Sequence, residues 1–309
     1  MENNKDVMVT GVSTGIGRGT TKVLVSKGFR VFGSVRRQAD GDSLQREFGD
    51  GVVPLIMDIT DADAVHQTAQ KVSSMIGDRN LIGLVNNAGI VVSGPLLYLR
   101  PSEYRRQLEV NMISPLVVIQ AFAPFLGTDK ERQGPAGRIV NISSTGAKVA
   151  IPLIGGYSSS KAGLEGMSDA LRQELMVFGI DVVIIEPGTV NTAMYDKGEK
   201  EDLSEFKPTE YWEAVQNFQK YIVTEARTNG LPPERLGEAV HVALTTAKPK
   251  ARYAVVPQRF KNWTLPRLLP VRMLDAYLAK QMKLTKRQVA SNGGFSHLVT
   301  SETNGKNSV

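Results

Sequence analysis

A tyrosine and a lysine stand four residues apart in Tyr157-Ser-Ser-Ser-Lys161. On a helix that spacing puts both side chains on one face. A phenol with an ordinary pKa of about 10 is a poor base at neutral pH. A neighbouring ammonium favours the phenolate and lowers that value, so the pair can take or give a proton at a reacting oxygen. Alone, the two residues are better explained as capping a surface helix. What accompanies them decides the matter.

The run Thr10-Gly-Val-Ser-Thr-Gly-Ile-Gly17 follows a short apolar stretch, Asp6–Thr10, and opens a helix-length segment, Ile16–Lys27. Gly11 permits a tight turn, Gly15 lets a pyrophosphate approach the backbone, and Gly17 allows close helix–strand packing. The helix N-terminus then offers free N–H groups to an anion, with Ser13, Thr14 and Ile16 in the same loop. The spacing is GxxxGxG rather than GxGxxG, so the indication comes from its place after the first strand. Beyond a second apolar run, Phe29–Val35, an acid usually holds a ribose 2′-hydroxyl. Here Arg36 and Arg37 follow, with no acid before Asp40. Guanidinium groups suit a 2′-phosphate by charge and donor geometry, so NADP(H) is the expected cofactor and NAD(H) the alternative. Two solvated loop arginines are the competing reading.

These residues need a scaffold, and the rest of the chain supplies its rhythm. Val52–Met57, Leu81–Asn86, Arg138–Ile142, Ile180–Ile185 and Tyr253–Val256 are further strand-like runs, with helix-length stretches at 61–77, 102–126 and 157–178. Near-continuous Val/Ile runs separated by helices predict an α/β, Rossmann-type doubly wound parallel sheet of about seven strands, helices on both faces. Pro54 sits awkwardly inside the third run. Residues 190–232 form a polar and aromatic insertion where an α/β enzyme often places a lid. Residues 1–260 are expected to be the dinucleotide-binding and catalytic domain, 261–287 a basic helical extension, and 288–309 a disordered tail. The absence of cysteine and the scatter of three histidines exclude disulfides, thiolate nucleophiles and a zinc cluster. The opening Met1–Asp6 lacks the apolar segment of a signal peptide and no apolar run reaches the length of a membrane span, so a cytoplasmic location is expected.

Further motifs occur in order along the chain: Asn86-Asn-Ala-Gly89, Asn111, Asn141-Ile-Ser-Ser144, Tyr157-Ser-Ser-Ser-Lys161 and Pro187-Gly188. With the glycine loop, they resemble the short-chain dehydrogenase/reductase family in its single-domain form over residues 5–256. The resemblance implies proton exchange at the substrate oxygen by Tyr157 while the nicotinamide exchanges a hydride, and the oxidised nicotinamide favours the phenolate as the ammonium does. It implies that Lys161 also bonds the nicotinamide ribose, that Ser144 steadies the substrate oxygen, and that Asn111 holds a water in a proton relay. Ser144 stands thirteen residues before Tyr157, the family's usual separation, and Ser143 stays open as the alternative. Asp58 and Ile59 match the adenine-contacting pair, and Asn86, Ala88 and Gly89 the segment beside the adenosine ribose. Pro187, Gly188, Val190 and Thr192 match the loop around the nicotinamide amide. Asp58 could also cap the 61–77 helix.

The substrate is less legible. Ala150, Ile151, Leu153 and Ile154, with Met194, Leu203, Phe206, Tyr211 and Trp212 of the insertion, are mostly apolar. They either line a hydrophobic pocket or pack the insertion's own helices. The segment after Tyr253-Ala-Val-Val-Pro257 resembles the extension of retinol- and hydroxysteroid-dehydrogenase members, which implies a steroid-, retinoid- or lipid-like carbonyl or alcohol. A 3-oxoacyl-thioester reductase and a non-catalytic NADP-binding regulator are the alternatives. Residues 248–287 carry eleven Lys or Arg against the single acid Asp275 in a chain of net charge +6, so the basicity is local rather than striped for nucleic acid. In Val271–Leu284, apolar Val271, Leu274, Leu278 and Met282 share a face that Arg272, Lys280 and Lys283 avoid. That face either covers the cleft or core, or meets an anionic membrane surface through 261–287. The family resemblance implies a homodimer or homotetramer built on 102–126 and 157–178.

Overall fold

The computed structural model describes residues 5–284. In chain order the elements are β1 (Lys5–Val9), α1 (Gly15–Ser26), β2 (Phe29–Val35), α2 (Gln38–Phe48), β3 (Val52–Ile56), α3 (Ala62–Ile76) and β4 (Gly83–Asn86). There follow α4 (Pro101–Leu108), α5 (Ser114–Phe122), β5 (Arg138–Ile142), α6 (Gly155–Glu174), β6 (Asp181–Pro187) and α7 (Ala193–Glu199). Then come α8 (Trp212–Asn229), α9 (Pro233–Thr245), β7 (Arg252–Val255), α10 (Leu265–Leu268) and α11 (Val271–Gln281). The expected tail, 288–309, the end of the 261–287 extension and most of the opening Met1–Asp6 lie outside the described residues.

The sheet has seven strands in the order β3-β2-β1-β4-β5-β6-β7, every neighbouring pair parallel. Strands buried on both faces need side chains that are apolar at successive positions, which is why β6 is buried from Val182 to Pro187. Period-two alternation divides those side chains between two cores. Val7, Val9, Val140 and Ile185 meet Leu24 of α1 and Leu236, Val240 and Leu244 of α9 on one face. Met8, Leu84, Ile139 and Val182 meet Val65 and Val72 of α3 and Val118 and Phe122 of α5 on the other. Strand order reverses between β1 and β4, opening a crevice at their carboxyl ends where ligands of such sheets bind. Pro54 is accommodated because β3 is the edge strand, bonded to β2 alone with Gly33 opposite Pro54.

Two sequence expectations change. The stretch 102–126 is not one α-helix: a π turn at Glu109–Ile113 separates α4 from α5. Pro115 explains the break, since it has no N–H for the carbonyl four residues earlier, that of Asn111, and its ring crowds that carbonyl. By length and composition 101–126 could cross a membrane. Within it, Val118, Phe122 and Leu126 are wholly buried in the sheet's core. The cap of α3 is Asp61, whose carboxylate accepts from the Ala64 N–H at 3.0 Å, and not Asp58. Asp58 closes its own turn, accepting from Thr60 N–H at 3.0 Å and Thr60 Oγ1 at 2.8 Å.

Candidate active site

The ends of β4, β5 and β6 and the first turns of α6 converge on one side of the crevice. Lys161 is buried and donates from Nζ to the Ile142 carbonyl at 2.8 Å, the last residue of β5. Its ammonium lies 5.9 Å from the centre of the Tyr157 ring. Ser144, just beyond β5, interacts with the Tyr157 hydroxyl and also accepts from the Gly146 N–H at 3.0 Å. The adjacent Ser143 faces the other way and donates to Glu165 Oε1 at 2.7 Å. Of the two serines, Ser144 is the one beside Tyr157.

Asn111 lies inside the π turn and is fully buried. Its Oδ1 accepts from the Ile90 N–H at 2.9 Å, while Nδ2 donates to the Ile90 carbonyl at 2.9 Å and Ser160 Oγ at 3.1 Å. π turns in α-helices are common at functional sites. A β-carbon at Gly89 would stand 3.2 Å from Asn111 Oδ1 and 3.7 Å from Lys161 Nζ, so the three positions border one small space.

The cofactor cradle is built by close backbone approach. Gly11 has φ +71°, and a β-carbon there would come within 2.9 Å of Ala88 Cα. Asn87 clamps the loop, donating from Nδ2 to the carbonyls of Thr10 at 2.9 Å and Gly11 at 3.0 Å. Thr10 Oγ1 accepts from the N–H groups of Asn87 and Ala88, each at 3.0 Å. Asn87 was not among the cofactor contacts expected from the sequence. The Asn86 side chain points inward, donating to Asn141 Oδ1 at 2.9 Å, which leaves its backbone with Ala88 and Gly89 to border the crevice. α1 begins without a side-chain cap and without an acid in its first turn, which leaves its N–H groups to an anion. Thr192 stands 3.2 Å from where a Gly15 β-carbon would be, and the Val190 segment is held to Leu231 by two backbone bonds. Arg37 is engaged at 2.8 and 2.9 Å by both oxygens of Asp40, leaving Arg36, exposed at the end of β2, as the better-placed partner for a phosphate. These donors and the close backbone approach at the loop glycines fit a dinucleotide phosphate.

A family model described as short chain dehydrogenase matches residues 5–203. The chain belongs to that family. It is an NAD(P)-dependent oxidoreductase of the short-chain dehydrogenase type. It is similar to the NADPH-dependent 3-dehydrocapnine reductase of Ornithobacterium rhinotracheale, 37% identical over 276 residues, covering 89% of this chain and 96% of that protein. It is also similar to retinol dehydrogenase 5 of Mus musculus, 32% identical and covering 88% of this chain and 87% of the relative. A solved short-chain dehydrogenase from Streptomyces avermitilis superposes with a TM-score of 0.71 at 25% identity, covering 92% of this chain and 98% of that one.

In this short-chain dehydrogenase the electrostatics of the free protein differ from the sequence expectation. Tyr157 is partly buried, and desolvation pushes its phenol above the ordinary value against a smaller downward pull from Ser144. Burial also brings the Lys161 ammonium down to about 8, partly opposed by the carboxylate of Glu165. The expected lowering of Tyr157 is therefore absent from the protein alone. Desolvating the phenolate costs more than an ammonium aimed at Ile142 returns. The Tyr157 phenol is therefore protonated at neutral pH.

The apolar residues named for a pocket form a third cluster. Leu153, Leu203, Phe206, Ala214, Val215 and Phe218 are buried together, with Ile151, Ile154, Tyr211 and Trp212 packed against them. The 190–232 insertion thus packs its own helices and the loop after Ser144 at once, while Met194 and Ala150 stay exposed. Leu153 holds φ +68°, a left-handed conformation uncommon for a branched side chain, and its carbonyl accepts from the Gly94 N–H at 2.7 Å. Tyr195 of α7, next to Met194, was not singled out. It is close enough to Tyr157 to feel its charge, and burial raises its phenol to about 12.

Proposed function

We propose that this chain is an NADPH-dependent reductase of a ketone carried on a hydrophobic, lipid-like molecule. The observation that carries the reading is the buried Lys161 beneath a protonated Tyr157 that Ser144 touches. Bound NADPH supplies the hydride. The Tyr157 hydroxyl donates a proton to the carbonyl oxygen, and Ser144 positions that oxygen by hydrogen bonding. Lys161 stabilises the phenolate that remains, and Asn111 shapes the space through which the proton is replaced. The lid excludes water and offers apolar surface. The relative named as an NADPH-dependent reductase, together with Arg36, supports the choice of cofactor and direction.

Turnover of a homologous series of ketones with NADPH, followed at the nicotinamide absorbance, tests this. The value of kcat/KM is expected to rise about fourfold per added methylene until the chain outgrows the lid, the increment for burying one CH2. A flat series would remove the lipid-like substrate. Arg36→Ala is expected to lower kcat/KM for NADPH by about 10- to 100-fold with little change for NADH. Equal losses with both cofactors would argue against Arg36 as the 2′-phosphate partner.

The same proposal covers the protein's surroundings. Met282 is buried against the lid cluster, so part of the expected apolar face of α11 packs inward. Phe260, Leu268, Val271 and Met273 are more than half exposed, with Arg272 almost fully so. Such a surface suits the interface of an anionic bilayer. The protein is expected to sediment with vesicles containing phosphatidylglycerol, less so at high salt, and Leu268→Glu with Val271→Glu is expected to abolish this. Binding unaffected by the pair would place the contact elsewhere. Self-association through α4, α5 and α6 belongs to the proposal as well, supported by the exposed small residues Ala162, Gly166 and Ala170 on α6.

A further inference from the structure

Beneath the catalytic lysine lies a group of charges that the chemistry above does not use, with Glu165 and Glu186 buried and Arg252, Asp169 and Lys148 reaching partly into solvent. Lys161, Glu165 and Asp169 follow one another at four-residue intervals on α6. Glu165 is 2% exposed, and its two oxygens have separate tasks. Oε1 accepts from Ser143, between Ile142, whose carbonyl seats Lys161, and Ser144. Oε2 meets Arg252 of β7 at 2.5 Å and Lys148, which ends the turn after Ser144, at 2.8 Å. Arg252 also reaches Asp169 and lies 3.5 Å from Glu186 Oε1, a buried oxygen without a hydrogen-bond partner.

Well-packed apolar side chains often stabilise a core as much as such a cluster does, because each buried ion carries a desolvation cost. Stability alone is a weak reason for placing these charges one helical turn from Lys161. We propose that Glu165 is a positioning residue, tying the end of β5 to α6 through Ser143 and supplying the counter-charge that keeps the Lys161 ammonium seated on the Ile142 carbonyl. Lys148 and Arg252 set how much of that counter-charge Lys161 feels. Glu186 and Asp169 in turn share Arg252, while Arg267 acts on Glu186 and Arg172 on Asp169.

The signs can be worked out. Burial has brought Lys161 down to about 8 and Glu165 pulls it upward. Removing the carboxylate lowers Lys161 further, whereas removing Lys148 leaves more of the Glu165 charge unneutralised and raises it. The proposal rests on the reading of Lys161 as a group that bonds the cofactor's ribose, so NADPH binding should weaken as Lys161 loses its proton. In a titration of NADPH by nicotinamide fluorescence, with no substrate present, the midpoint of that weakening is expected near pH 8. Glu165→Gln is expected to move it about one unit to acid, and Lys148→Met a few tenths of a unit to alkali. The alkaline limb of kcat for ketone reduction should move with it.

A purely structural role would lower the melting temperature and leave both midpoints in place. An unmoved midpoint in a folded Glu165→Gln protein overturns the proposal. Should that variant fail to fold, Lys148→Met decides alone, since a fixed or acid-shifted midpoint is equally fatal. Failure of the Tyr157 reading is separate, showing as turnover that survives Tyr157→Phe while the binding midpoints still shift.

Discussion

Tyr157→Phe is expected to lower kcat for ketone reduction about a thousandfold and to leave the dissociation constant of NADPH within about threefold. The size follows from the usual contribution of a positioned general acid, 10²- to 10⁴-fold. The phenol is held above its ordinary pKa in the free protein, so at neutral pH nearly every molecule carries the proton that the substrate oxygen needs. The substitution removes one oxygen from a partly buried ring and leaves Lys161 on the Ile142 carbonyl. A thermal melt within a few degrees of the parent would separate lost chemistry from lost fold. Steady-state rates within tenfold of the parent would remove Tyr157 as the donor.

Gly17→Ala is the second large effect, and it strikes the cradle rather than the chemistry. A β-carbon there would stand 2.2 Å from the Gly11 carbonyl oxygen and 2.6 Å from Asn87 Nδ2. Both belong to the clamp that fixes the loop, so neither can move without breaking the Asn87 bonds to Thr10 and Gly11. Overpacking of this kind costs about 1–3 kcal/mol or more. The dissociation constant for NADPH is expected to rise at least about a hundredfold, and the melting temperature to fall by several degrees. Gly28→Ala is the contrast, since its φ is +77° but nothing lies within 4 Å of the added carbon. It should cost about 1 kcal/mol in backbone strain and leave NADPH affinity unchanged. Equal effects of the two substitutions on affinity would show that the loop tolerates the crowding.

The fold was legible because the sheet is parallel and buried on both faces. Val/Ile runs such as 182–185 can be read without knowing their neighbours. The pairing of Tyr157 with Lys161 was equally readable, since helix geometry alone puts residues four apart together. The break at Asn111 was readable in principle from Pro115, but the run's apolar periodicity concealed it. Other features depend on contacts across the sheet. Asn86 and Asn87 are adjacent in sequence, and only the pleat decides which turns into the core and which clamps the loop. Arg36 and Arg37 look alike until Asp40 is seen to engage the second.

The raised phenol of Tyr157 in the free protein was not legible for a similar reason. Proximity to an ammonium was visible in the spacing, whereas burial depends on how α6 packs against β6 and the turn after β5. Glu165 was invisible as a functional candidate because its partners Ser143, Lys148 and Arg252 come from three separate parts of the chain.

The most direct measurement follows the hydride and the proton donor together. Ketone reduction with NADPH carrying deuterium at the transferable position of C4, analysed by mass spectrometry, should place one deuterium on the carbinol carbon of the product. At the same enzyme concentration and time, Tyr157→Phe should give labelled product about a thousandfold more slowly while still binding the cofactor. Label absent from the carbinol carbon of the parent enzyme's product, or formed by the variant at the parent's rate, would contradict hydride delivery beside a Tyr157 that donates the proton.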